Sequence, residues 1–422
     1  MLQFFFPFIV FLTLLVLVIA KDKFYSNSVF LISIYFIGLL SSVALSFLND
    51  KYAYFLDVYY LGSVFFTLAI LILLSPFIIV NSENFSTLVI PDRNILDKIS
   101  IILILLSFFS FFNFIPVIYQ VLNTENLSQF RYLLTAEGHP YINEGLINTL
   151  AGVVATFFII PLTLSFVYIC INYRPLLSIL LLISSLSYPV FVFSYFGRDG
   201  VVFWGLAVVF NLILFRKFIP PIKLLKIKRL LLVLIFVFIV VFIFISYHRF
   251  GDLGSVLLSI LDYLGQQFIN FSTSVDLDTE FRNGSRSFPL FYELFSNSEN
   301  SSLLRQQYSS QLYNNGFEYI SWSWGTLLLD FYQDFSLWGV FFIVSLMSMT
   351  FVLLLRRGFS NINFFSLLFY VGYCQILIQG YFYFRQYNNV GNLYIIIILL
   401  IGILGRIKLP TCLSSEKIRA EY

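Results

Sequence analysis

The residues best suited to chemistry are arginines and carboxylates that lie together in one polar interval, His248 to Asp334. Long apolar stretches make up most of the remaining chain. The arginines of this interval are Arg249, Arg282, Arg286 and Arg305. Arginine binds phosphate and carboxylate groups through a rigid bidentate fork, so the set predicts an anionic ligand. We interpret the interval as the part that carries the chemistry; the alternative is a linker.

Three side chains of the same interval are candidates for a general base: His248, Glu318 and Asp330. A base within hydrogen-bond reach removes the proton from an attacking hydroxyl. Asp330 and Asp334 are four positions apart, so a helix places both on one face. The segment 276–280 holds three carboxylates and offers the alternative of a metal-binding cluster. Because no histidine accompanies that segment, we expect no metal ion and no other cofactor.

Two further arginines lie outside this interval, and each has a structural and a functional interpretation. Arg198 lies in the turn Gly197–Gly200, at the start of an apolar stretch. A helix N-terminus presents free N–H groups that bind anions, so the turn predicts a phosphate contact; an ordinary tight turn between spans is the alternative. Arg131, in the interval 119–147, either faces an anionic ligand or extends toward lipid headgroups.

Membrane-spanning helices must position these residues, because the composition excludes an ordinary soluble globular protein. Of the 422 residues, 59% are hydrophobic and 11% are charged, whereas soluble domains carry about 25% charged residues. Runs of about 20 apolar residues recur, each long enough to cross a bilayer core of roughly 30 Å. We predict an all-α polytopic membrane protein with a single integral domain over 1–422. Its spans, about eleven, lie near 3–20, 29–48, 58–80, 99–118, 147–171, 175–193, 200–215, 230–246, 336–355, 362–380 and 389–405.

Lysine and arginine predict the orientation, since they concentrate in cytoplasmic connections. The segment 216–229 contains six of them, and we therefore place it inside. Alternation then puts 17 of the 25 basic residues inside and 16 of the 22 acidic residues outside. On this assignment the C-terminus is cytoplasmic, 119–147 is the second outward loop and 247–335 is the large outward loop.

The positions and types of the charges narrow the function further. Of the eight outward basic residues, seven are arginine, and arginine suits phosphate better than lysine does. No ionisable residue is left inside a predicted span, which argues against an ion-coupled carrier.

One helix is predicted within the large outward loop, near 256–271. Leu257, Leu261 and Leu264 share one face at helical spacing, while Asp262 and Gln266 fall on the other. Modest hydrophobicity with one polar face is typical of a helix that lies in the membrane interface.

The architecture resembles that of the O-antigen and oligosaccharide repeat-unit polymerases (Wzy type). The shared features are about eleven spans, an inside tail, one long outward loop in the second half and outward arginines. Three segments are similar to the family's G-R-x-G element, its R-x10-G pattern and its loop-to-span segment: Gly197–Gly200, Arg305–Gly316 and Trp324–Gly339. Arg131 departs from the R-x10-G pattern, because position 142 is Ile rather than Gly.

The resemblance implies a glycosyltransferase of the bacterial cytoplasmic (inner) membrane, with its active face outward. It would polymerise undecaprenyl-pyrophosphate-linked oligosaccharide units by moving the growing glycan onto a sugar hydroxyl of the next unit. The base would be His248, Asp330 or Glu318. The residues implied to bind pyrophosphate or glycan are Arg131, Arg198, Arg249, Arg282, Arg286 and Arg305.

The resemblance also implies the partners and leaves two alternative functions. The partners are the lipid-linked oligosaccharide, membrane lipid and a chain-length regulator protein, with no nucleic acid. An O-antigen ligase shares the donor and differs in the acceptor. A flippase of the same lipid-linked sugar is the other alternative, although a transporter of this kind is expected to show two similar halves, which this sequence does not have.

Overall fold

The computed structural model describes residues 2–22, 25–53, 60–123, 141–142, 145–195, 197, 199–250, 252–275, 281–295, 307, 310–311, 314, 324–355, 360–407 and 416–419. It describes only the backbone of 2, 53, 234, 237–239, 241–250, 253 and 416. The chain divides into two compact units. Unit 1 is Met1–Glu83, Ile219–Leu353 and Gln379–Asn388, and unit 2 is Asn84–Phe218, Leu354–Ile378 and Asn389–Tyr422.

The described part of the chain is mostly α-helical. This follows from the apolar composition, because a backbone surrounded by lipid must satisfy its own hydrogen bonds. The helices are α1 Leu2–Asp22, α2 Asn27–Leu48, α3 Asp50–Ala53, α4 Tyr60–Ile79, α5 Arg93–Leu122, α6 Leu146–Thr156, α7 Ile159–Ile171, α8 Pro175–Ser184, α9 Ser187–Ser194, α10 Asp199–Phe215, α11 Pro221–Phe250, α12 Leu253–Ser274, α13 Pro289–Phe295, α14 Thr326–Leu355, α15 Phe364–Gly380 and α16 Asn389–Arg406. The strands are β1 Thr87–Ile90, β2 Asn361–Asn363 and β3 Glu416–Arg419, and a 3₁₀ turn covers Ser82–Asn84.

Seven helices in the described part of the chain are long and apolar enough to cross a membrane. The count rises to eight if α6 and α7, which are bent by 41° at their junction, form one span. These helices confirm an all-α protein with membrane-spanning character. The remaining predicted spans overlap helices: 200–215 matches α10 and 362–380 overlaps α15, which are shorter at 17 residues each, and 230–246 lies within α11.

The helices of unit 1 pack through small and polar residues. Helix α12 contacts α2 and α4 most extensively. At Gly265 the α12 backbone comes so near to α2 that an added Cβ would lie 2.6 Å from the carbonyl carbon of Ser41. The Ser42 hydroxyl donates a hydrogen bond to the Gly265 carbonyl. Close packing of this kind is typical of helix interfaces in membranes, where small residues let two backbones approach.

The interval 247–335, predicted as a large outward loop, contains regular helices. Helix α11 continues to Phe250, α12 occupies 253–274, and α14 begins at Thr326. A helix does occur near 256–271, but its polar face is not turned to solvent. Gln266 and Asn270 are buried, because they bind the main chain of a distant segment described below, whereas Leu257 is exposed.

Unit 2 contains helices packed around α5 and one small sheet. Helix α5 contacts α6, α8 and α9. In the sheet, β1 lies between its two partners. It pairs in parallel with β2, Leu88 opposite Ile362, and antiparallel with β3, Leu88 opposite Ile418.

A buried carboxylate of α5 holds the turn that precedes α8. Asp97 accepts hydrogen bonds from the hydroxyls of Tyr168 at 2.6 Å and Tyr173 at 3.3 Å. It also forms an ion pair with Arg174 at 3.1 Å. Asp97 therefore lies inside a helix that extends beyond its predicted span, and the same is true of Asp330 and Asp334 in α14. Both helices begin earlier than their predicted spans, at Arg93 and Thr326, so these carboxylates lie inside helices although they lie outside the predicted spans.

Candidate functional site

The candidate site in unit 1 is built on a break in helix α14. Ser336 interrupts the helix with φ 64° and ψ −177°. The last carbonyl groups before such a break have no partner within the helix. The N–H groups of Arg282 and Asn283 occupy two of them, donating to the carbonyls of Gln333 at 3.1 Å and Asp334 at 3.0 Å. The turn that carries the predicted arginines is thus attached to the first ten residues of α14.

The side chain of Asp334 holds the same turn. Its carboxylate accepts hydrogen bonds from the N–H of Arg286 at 3.1 Å and of Ser287 at 2.7 Å. Left-handed backbone at Asn283, φ 51°, and Gly284, φ 92°, reverses the chain between the two attachments. Asp334 is buried, and the charge of Arg282 acts on its carboxylate. Successive N–H groups around a carboxylate form an anion-binding turn, here filled by the protein's own aspartate.

Asp330, one helical turn earlier, binds the arginine side chain itself. One carboxylate oxygen accepts a hydrogen bond from Nε of Arg286, and the two residues form an ion pair. The other oxygen accepts the N–H of Phe384 at 2.8 Å. Asp330 is buried, whereas the Arg286 side chain is 26% exposed. The carboxylate therefore fixes the plane of a guanidinium that reaches the protein surface.

Helix α12 positions the beginning of α14 through its buried polar face. Gln266 accepts the N–H of Trp324 at 3.3 Å, and Asn270 donates to the Trp324 carbonyl at 2.9 Å. The Trp324 ring lies 4.9 Å from that of Tyr263 and stacks on Tyr383 at 5.8 Å. These contacts explain why the polar residues of α12 are buried.

The N-terminus of α12 is capped by an exposed acidic residue. Asp252 accepts the N–H of Ser255 at 2.8 Å. Hydrogen bonding by Ser255 lowers the pKa of the Asp252 carboxyl. This end of α12 is fixed by local hydrogen bonds.

An aromatic groove adjoins the arginine turn. Its volume is about 530 Å³, and its lining residues are Asn283, Gly284, Phe288, Phe291, Tyr292, Phe295 and Phe335. The rings of Phe288 and Phe331 stack with centroids 6.0 Å apart, and Phe384 packs against Phe331 at 4.9 Å. Phe331, the residue after Asp330, thus packs against Phe288, which lines the groove.

Three of the nine predicted site residues come together in this arrangement, namely Arg282, Arg286 and Asp330. His248 and Arg249 lie on helix α11, and only the backbone of these two residues is described. The others lie outside the described residues: Arg131, Arg198, Arg305 and Glu318. The carboxylates of 276–280 lie outside them too, and among the described residues no group of three or more His, Cys, Asp and Glu side chains is placed to hold a metal ion.

The sequence did not single out every residue of the site. The spacing places Asp334 on the same helical face as Asp330 but predicts no role for it. Sequence patterns also do not identify Gln266, Asn270 or the groove rings as parts of a site. Ser285 Oγ and Gln333 Oε1 are also buried beside the turn, without a hydrogen-bond partner among the described residues. The dipeptide Asn283-Gly284 is a turn signal that could have identified the turn.

The arrangement can bind an anion at an oriented arginine and an apolar group beside it. Charge-assisted bonds from a guanidinium with a fixed plane are the strong kind, and the orienting carboxylate makes that plane predictable. No protein-family model, no curated protein and no solved structure matches this chain.

Proposed function

We propose that this protein is a membrane glycosyltransferase that polymerises oligosaccharide repeat units carried on undecaprenyl pyrophosphate. One observation carries the proposal: Arg282, Arg286 and Asp330, selected from the sequence for this chemistry, converge on the first ten residues of α14. The reaction breaks a sugar–phosphate bond and leaves a pyrophosphate. Positioned cationic donors stabilise the charge that develops on such a leaving group.

The proposed topology has about eleven spans, an outward 247–335 region and a cytoplasmic C-terminus, in the bacterial inner membrane. Contacts within unit 1 support it, because they join connections assigned to the same side. Tyr52 donates to Asp262 at 2.6 Å, linking the outward turn at 49–57 to the outward region. The Phe384–Asp330 contact links the last outward turn to the same region. In unit 2, all three strands of the sheet come from or adjoin segments assigned to the cytoplasmic side.

The proposed roles follow from exposure and hydrogen bonding. Arg286 contacts the pyrophosphate, since its guanidinium is the partly exposed one of the pair. Asp330 orients Arg286, because its two oxygens already accept hydrogen bonds from Arg286 and Phe384. The base that deprotonates the acceptor hydroxyl is then His248 or Glu318.

The other proposed contacts rest on sequence alone. Arg131, Arg198, Arg249 and Arg305 are proposed to bind pyrophosphate or glycan. A chain-length regulator protein is the proposed protein partner.

Complementation of a deletion strain tests the proposal. With the native protein restored, we expect surface glycan in long chains; without it, we expect glycan with a single repeat. Loss of a comparable transition-state donor costs roughly 10²–10³ in rate, so Arg286→Ala should leave single repeats. Arg286→Lys keeps the charge and removes the fork, and should fail nearly as badly.

A matched control and two contrary outcomes complete the test. Arg385→Ala removes an arginine that lies over the Tyr383 ring, outside the Asp330–Arg286 pair, and should retain long chains. All variants are compared at equal membrane expression. If the deletion strain makes no surface glycan at all, the protein is a ligase or a flippase. If Arg286→Ala makes long chains, the α14 cluster is structural and the pyrophosphate site lies elsewhere.

A further inference from the structure

The aromatic groove beside the arginine turn has the size and the chemistry of a ligand site. Its volume of about 530 Å³ falls within the range of small-molecule pockets, roughly 300–1,000 Å³. Four of its seven lining residues are phenylalanine, which offers no hydrogen-bonding group. Such a lining favours an apolar chain over a hydroxylated sugar.

The groove lies close in sequence to Arg286, so its ligand is also expected to carry a negative charge. Phe288 lines the groove and lies two residues after Arg286. It also contacts Phe384, whose N–H binds the carboxylate that holds Arg286. A ligand with an apolar chain and an anionic group at one end would therefore suit both the groove and the neighbouring arginine.

The part of α14 that follows the groove residue Phe335 has an exposed apolar face. After the break at Ser336, exposed side chains recur at Trp338, Phe342 and Leu346, at the spacing of one helical face. Trp338 is 82% exposed. This part of α14 belongs to a candidate membrane span, so its exposed face suits lipid. Phe335 lines the groove and precedes Trp338 by three residues, so the groove and the exposed apolar face belong to neighbouring parts of the same chain segment.

We propose that the groove binds the isoprenoid chain of the lipid carrier, over the units next to its pyrophosphate, while the pyrophosphate meets Arg286. The groove is too small for a long isoprenoid, and the remainder of the chain stays in the bilayer. This inference rests on the proposed function and adds the residues that would recognise the lipid rather than the sugar. Its central contacts are Phe291, Phe295 and Phe335.

Photocrosslinking of the full-length protein in phosphatidylcholine nanodiscs tests this inference. The probe is geranylgeranyl pyrophosphate that carries a diazirine on the isoprene unit nearest the pyrophosphate. We expect crosslinks on α13 or at Phe335, mapped by mass spectrometry. Phe295→Asp places a charge in the groove at a residue that is 84% exposed, so the fold should tolerate it. Loss of an apolar contact of this size corresponds to a decrease in crosslinking of at least about tenfold.

A matched variant and two competitors make the result specific. Tyr119→Asp changes an aromatic residue that is 72% exposed, lies beyond the predicted span 99–118 and does not line the groove, and it should crosslink like the native protein. Unlabelled geranylgeranyl pyrophosphate should abolish the crosslinks, and excess phosphatidylglycerol should not. Displacement by phosphatidylglycerol overturns the inference in favour of an ordinary lipid site. Crosslinks that Phe295→Asp leaves unchanged overturn it as well.

The failure of this inference is distinguishable from failure of the proposed function. Chain elongation on lipid-linked repeat units is measured on the same preparations. If the native protein elongates chains and the groove does not crosslink, only the groove assignment falls. If the groove crosslinks and no elongation occurs, the polymerase proposal falls and an isoprenoid-pyrophosphate site remains.

Discussion

The most specific prediction concerns Asp330. The sequence makes it a candidate base, whereas the structure indicates that it orients Arg286. Asp330→Asn keeps the shape of the side chain and an acceptor for the Phe384 N–H, and it removes the charge opposite Arg286. Hydrogen bonds to charged groups contribute about 1.5–3 kcal/mol. Arg286 is 26% exposed, so water screens part of the interaction and we take the lower end of that range. About 1.4 kcal/mol corresponds to a tenfold change in rate, which is the loss we expect.

A double-mutant cycle on chain elongation by the purified protein distinguishes orientation from base catalysis. If Asp330 acts only through Arg286, Asp330→Asn costs about tenfold alone and nothing further in the Arg286→Ala background. Removal of a general base costs about 10²–10⁴ and would persist in that background. A loss above a hundredfold that adds to the effect of Arg286→Ala refutes the orienting role and makes Asp330 the base.

Three further outcomes are expected. Ser336→Gly should raise the melting temperature in detergent, because φ 64° with ψ −177° suits only glycine and costs other residues about 1–3 kcal/mol; an unchanged or lower value contradicts the strain. Gly284→Ala should lower the melting temperature, since alanine at φ 92° is strained by roughly 1–2 kcal/mol, while Gly145→Ala, with open space around it, should not. In a cysteine-free background, an impermeant thiol reagent should label Lys51→Cys in intact cells and Lys223→Cys only after permeabilisation; the reverse pattern refutes the topology.

The helices were predictable because lipid leaves the backbone little choice, but their ends were not. Hydropathy placed a span at 336–355, and the helix starts at Thr326. The apolar core does begin where the chain bends at Ser336, so hydropathy located the break and missed the polar helix before it. Asp330 and Asp334 lie on that earlier part. Hydropathy detects apolar stretches, so it does not show that a helix continues through the polar residues before them.

The turn that holds Arg282 and Arg286 shows a different limit. Arg282 and Arg286 are four positions apart, a spacing that would put them on one face of a helix, but the structure has left-handed backbone between them at Asn283 and Gly284. The two arginines meet α14 through main-chain and side-chain bonds to residues 44–51 positions away. The buried Gln266 and Asn270 likewise bind Trp324 across more than 50 residues. Helical periodicity depends only on residues close in sequence. It therefore predicted that the polar face of α12 meets water, although that face binds a distant segment of the chain.

The charges of the described cluster bear on how the site would attract its ligand. Arg282 and Arg286 face Asp330 and Asp334, so the cluster is formally neutral. A neutral cluster orients a pyrophosphate that has arrived and provides little long-range attraction for it, since Coulomb energy depends on net charge. In the proposed chemistry, Arg286 with Asp330 therefore sets the geometry of the leaving group once the pyrophosphate has arrived, and it contributes little to drawing the pyrophosphate in from a distance.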